Sequence, residues 1–81
     1  MKKNPEALSA FGLNLRRIRE SRGWSQQELA DRASLPKIAV QRVELSKYAV
    51  GLDLLISLAR ALEIPTRDLL NIPGLEQMDK D

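Results

Sequence analysis

Apolar residues recur at helical intervals along most of this 81-residue chain. Leu8, Phe11, Leu15 and Ile18 fall on one face and predict a first helix, with Asn14, Arg16, Arg17 and Glu20 on its other faces and Gly23 as its C-terminal stop. Ser25, with Glu28 three residues on, has the spacing of a capping box and starts a short second helix with Leu29, Ala30 and Ala33 inward. "SLP" breaks that helix, because Pro36 fits only a first helical turn. A third helix follows through Glu44 or Leu45, with Val40 and Val43 inward, so the break spans about three residues, Ser34 to Pro36.

A fourth helix is predicted from about Leu52 to Leu62. It is apolar on most sides: Leu55, Ile56, Ala59 and Leu62 make one stripe, and Leu54, Leu58 and Ala61 a second. Such a helix is either deeply buried or shared with a partner, and in so short a chain the second stripe is expected to meet a partner. Pro65 ends this region, and Thr66 is placed to cap a last short helix holding Leu69 and Leu70. The expectation is an all-α, compact five-helix domain over residues 8–71. A flexible arm over 1–7 and a partly disordered tail over 72–81 flank it.

Composition narrows the chemistry. Cysteine and histidine are both absent, which removes disulfides, zinc fingers, the usual general base and the commonest metal ligand. No catalysis, metal or cofactor is expected. The most apolar run is too short to span a bilayer, so the default is a soluble cytoplasmic protein without a membrane partner. The net charge of +2 conceals an asymmetry. Arg16 to Lys47 holds eight basic and four acidic residues, whereas Tyr48 to Asp81 holds three basic and six acidic ones. A basic front and an acidic back suit a polyanionic partner, although chance clustering on a solvated surface gives the same numbers.

Two helices joined by so short a turn match the helix-turn-helix unit, whose second helix enters the DNA major groove. Tight corners also occur in other bundles. The residue pattern adds more: "RRIRESRGWSQQELADRASL…VQRVE" followed by "LDLLISLARALEIPTRDLL" resembles the Xre/Cro-like family of phage and bacterial regulators, from roughly Leu15 to Leu70. The resemblance implies a lambda-repressor-like DNA-binding fold. It also implies an ion pair between Arg19 and Glu44, against the alternative of two solvated charges, and a phosphate contact at Gln26, against an exposed neighbour of the cap. Base reading would fall to Lys37, Ile38, Gln41 and Arg42. Lys37 and Arg42 suit guanine or phosphate and Gln41 suits adenine, while Ile38 either touches a thymine methyl or packs under the second helix. Arg17, Arg22, Lys47 and Tyr48 would touch the DNA backbone.

This chain departs from the family pattern at Pro36, where Ser or Thr is frequent, at Ser34 and Ser46, where Gly is frequent, and at the apolar Leu45. These changes bear on operator contacts more than on the fold.

One helix reads too few base pairs for genomic selectivity, so a homodimer on inverted half-sites is expected, paired through Leu54, Leu58, Ala61, Ile64, Leu69 and Leu70. Restriction–modification controllers and Cro-like repressors are family members of this length. The alternative is an antitoxin-type protein that binds a toxin and represses its own operon. A toxin or RNA polymerase is the further candidate protein partner.

Overall fold

The computed structural model describes residues 5–46, 50–72 and 74. Five helices follow in order: α1 (Pro5–Ser21), α2 (Gln26–Arg32), α3 (Lys37–Glu44), α4 (Leu52–Leu62) and α5 (Thr66–Leu69). No strand occurs among the described residues. α2 and α3 pack on each other, α1 lies along α3, α4 pairs with α5 and touches α2, and α5 returns to α1. Leu15, Leu29, Val40, Leu58, Leu62 and Leu69 are fully buried where these helices converge.

α1 begins at Pro5, three residues before Leu8, so residues 5–7 are not arm. Proline suits a first helical turn, and Glu6 complements the positive end of the helix dipole. Asn14, expected on an outer face, is buried; its Nδ2 donates to the Leu69 carbonyl oxygen at 3.0 Å and ties α1 to α5.

Three helices close in the same way. Gly23, Ser34 and Glu63 each take a left-handed φ, of 72°, 56° and 57°. Each is followed by the paired backbone bonds of a Schellman motif, as in Gly23 N–H to Glu20 O and Trp24 N–H to Arg19 O. Only the first of these positions has the residue that adopts this backbone without cost. Pro36 is the N-cap of α3, not a residue of its first turn, and supplies no side-chain bond. Thr66 is likewise the first helical residue of α5, and Pro65 stands at its cap.

The stripes of α4 differ from expectation. Leu55, Leu58, Ala59 and Leu62 form the inward row, with Leu58 completely buried, whereas Ile56 is 38% exposed and points outward with Leu52. Leu58 and Leu69 therefore cannot form part of a dimer surface. α4 packs on α2 and α5 at once, and this selects the row centred on Leu58. Ile72 is also buried, which carries the core one residue past the expected boundary at 71.

Candidate nucleic-acid interface

The α2–α3 corner is built from both sides of the chain. Ser25 Oγ accepts from the Glu28 backbone N–H at 3.0 Å and starts α2; the Glu28 carboxylate pairs forward with Arg32 instead of returning to the cap. Leu35 N–H then donates to the Ala30 carbonyl at 2.8 Å, turning the chain toward α3. Ala30 is completely buried at the crossing, where a larger side chain would separate the helices.

A clamp fixes the far end of α3. Arg19 donates through Nε to Glu44 Oε2 at 2.7 Å and through Nη2 to Oε1 at 3.0 Å, a two-pronged pair with both side chains less than a tenth exposed. Arg19 Nη1 donates to the Trp24 carbonyl oxygen at 2.7 Å, and Gln26 Nε2 donates to Glu44 Oε1 at 3.0 Å. One carboxylate thus joins α1, the start of α2 and the end of α3. The hydrogen bonds that Arg19 donates to Glu44 raise its pKa above the usual arginine value; burial opposes this, and the charges of Glu44 and Glu20 reinforce it. A base whose folded-state ionisation is raised stabilises the fold while protonated. This contribution is therefore in force below arginine's unfolded value and is lost only as strong alkali is reached.

Gly12 is a contact that the sequence reading did not single out. A Cβ built there would lie 2.6 Å from the Val43 carbonyl oxygen and 2.9 Å from that of Glu44. α1 and the end of α3 therefore meet backbone to backbone. The available signal was a glycine inside a strongly periodic helix, where it is unfavourable unless something approaches closely.

With its inner row (Val40, Val43) buried, α3 turns Lys37, Ile38 and Arg42 outward, with Gln41 half-buried beside them, on two adjacent i, i+4 rows. Lys37 and Arg42 are exposed, and neither has an ion-pair partner among the described residues. Ile38 is 49% exposed, so it is not packed beneath α2. Gln26 is half-buried beside Glu44 with one amide hydrogen left for another acceptor.

Two of the expected backbone contacts are exposed and also make internal hydrogen bonds. Arg17 lies on the side of α1 away from α3, bonded to Asn14 Oδ1. Arg22 donates to the Leu62 carbonyl oxygen at 2.8 Å and holds the end of α4. The Arg17 bond is a local contact three residues back on the same helix, whereas the Arg22 bond reaches 40 positions along the chain, which local patterning does not reveal. Lys47 and Tyr48 lie outside the described residues. Of the remaining apolar set, Leu54, Ala61 and Ile64 are half-buried and Leu70 is 39% exposed. No group of acidic residues among the described ones could hold a metal ion, and none of their helices is long and apolar enough to cross a membrane.

A helix-turn-helix family model matches residues 15–69, well over half of the chain. The chain belongs to the helix-turn-helix family. The matched span begins at Leu15 in α1 and ends at Leu69 in α5, so it includes both the clamp and the outward face of α3. A hypothetical transcription factor from Neisseria meningitidis serogroup B is 35% identical over 70 residues, which is 86% of this chain and 65% of that protein's length. Among solved structures, the restriction-modification controller protein C.AhdI from Aeromonas hydrophila superimposes with a TM-score of 0.75 at 39% identity, covering 76% of this chain and 94% of that one. The hypothetical transcription factor NHTF from Neisseria gives 0.79 at 27% identity, over 95% and 90% of the two chains. Membership in this helix-turn-helix family identifies a DNA-binding domain of transcription regulators and not an enzyme.

Proposed function

We propose that the chain regulates transcription as a homodimer on an inverted-repeat operator, in the manner of a controller protein acting on its own gene. The observation that carries this reading is the outward face of α3, where two cations without an ion-pair partner among the described residues, Lys37 and Arg42, flank Ile38 and Gln41 on a helix clamped at Glu44. Base edges are read by Lys37, Ile38, Gln41 and Arg42. Gln26, steadied by Glu44, meets the phosphate backbone, and Lys47 and Tyr48 are retained as further backbone contacts. A partner copy covers the apolar surface left around α4 and α5, at Leu52, Ile56 and Leu70 with the half-buried Leu54, Ala61 and Ile64. This pairing sets two reading helices about 34 Å apart, one turn of B-DNA. The likeness to C.AhdI supports the controller reading over the antitoxin alternative.

The test is fluorescence anisotropy of labelled duplex from upstream of the chain's own gene, against scrambled duplex, across a salt series. A preference of roughly 10³ that persists as salt rises, with two protomers per site, is the expected result. Equal and steeply salt-sensitive binding to both duplexes would reject sequence-specific regulation.

A further inference from the structure

Resting on the regulator reading above, we infer that Ile38 is a methyl reader, which α3 presents to the C5 methyl group of one thymine in each half-site. Helices of this kind meet base edges with their N-terminal residues. Ile38 is the second residue of α3, with 49% of its surface open. Internal packing is not its task, because Val40 and Val43 already form the inward row at 0% and 2% exposure. Pro36, exposed at the N-cap, brings neither a hydroxyl nor a backbone N–H. The leading end of the reading helix is thus apolar, and Lys37, Gln41 and Arg42 stand around it.

Docking takes this end out of water. The major groove lines its floor with hydrogen-bond donors, acceptors and one apolar group, the methyl of thymine. An isoleucine set against a donor or acceptor strips water from that edge and gives no bond in return. Set against the methyl, it buries apolar surface on both partners. This recognition is separable from hydrogen bonding, since A·T and A·U pairs present the same donors and acceptors and differ only in that methyl.

The whole chain is used to select duplexes from a random double-stranded library. The enriched duplex is then remade with deoxyuridine in place of thymidine, one position at a time, in one half-site. Replacement at one position is expected to weaken binding about four-fold, the worth of one buried methyl-sized group. Ile38→Ala, folded by circular dichroism, is expected to bind the thymine and uracil duplexes equally, and Ile38→Val to retain part of the difference. Lys37→Ala is expected to weaken both duplexes alike. Three results overturn the inference: no position responds to uracil, the enriched half-site lacks a constant T·A pair, or Ile38→Ala still discriminates. In those cases sequence-specific binding itself stands. Failure to enrich any duplex overturns both the inference and the regulator reading.

Discussion

The two ends of this small domain are held by different kinds of force. Around α1, α2 and α3, a buried two-pronged ion pair, an amide on the same carboxylate and a glycine contact set the position of one helix by direction and distance. Around α4 and α5, aliphatic packing dominates, and the polar ties from α1 and its C-terminal turn, Asn14 to Leu69 O and Arg22 to Leu62 O, reach only backbone carbonyls. Directional bonds suit a helix whose angle matters, whereas non-directional packing tolerates small shifts and leaves apolar surface for a second molecule. The difference teaches that orientation and cohesion are assigned to separate parts of the chain.

The largest expected effect comes from cutting the clamp. Glu44→Ala leaves the Arg19 guanidinium buried without its partner and is expected to cost about 3–5 kcal/mol in urea unfolding. A loss below about 1 kcal/mol would show the pair to be effectively solvated and remove the contrast. Leu58→Ala should cost about 2–5 kcal/mol through a cavity, while the DNA affinity of the folded fraction stays near normal, because the packing half does not aim the helix. Gly12→Ala is expected to cost about 1–3 kcal/mol from overpacking, less what alanine gains in helix propensity, but to reduce DNA affinity far more than that loss of stability implies. Affinity that merely tracks the folded fraction would mean α3 keeps its angle. Ile56→Asp, on an exposed position, should leave unfolding of the monomer within about 0.5 kcal/mol while sedimentation shows weaker self-association. Unchanged self-association would assign the partner surface to Leu54, Ala61 and Leu70. The smallest effects lie in the turns: Ser34→Gly and Glu63→Gly should each stabilise by up to about 1 kcal/mol, by relieving left-handed strain in non-glycine residues.

The boundary between α1 and α2 was the most legible part of the sequence, whereas the starts of α1, α3 and α5 each differ from the expected position. The Ser25 cap and the Gly23 stop act within four residues, so local spacing captures them. Hydrophobic periodicity failed where it had to choose between surfaces: α4 is apolar on so many sides that only its packing on α2 and α5 decides that Leu58 faces inward and Ile56 outward. The Arg19–Glu44 pair spans 25 positions, and no periodicity links them; family resemblance alone suggested it. The Arg22 bond to the Leu62 carbonyl spans 40 positions and exists only in the folded chain, whereas the Arg17–Asn14 bond is a local i, i+3 contact within α1. The base-reading set on α3 was likewise suggested by the family resemblance, and the burial of Val40 and Val43 on the opposite row is compatible with it.

Trp24, the chain's one tryptophan, has the Arg32 guanidinium 4.2 Å above its ring centre and that of Arg22 at 5.9 Å, while its carbonyl accepts from Arg19. This places a single chromophore at the joint between α1 and α2, two residues before Gln26. Its emission is therefore a built-in optical gauge of that joint, lying on the directional side of the domain and needing no added label. Followed beside helical circular dichroism, it separates loosening of the clamp from melting of the whole domain, a distinction that the backbone signal alone averages away.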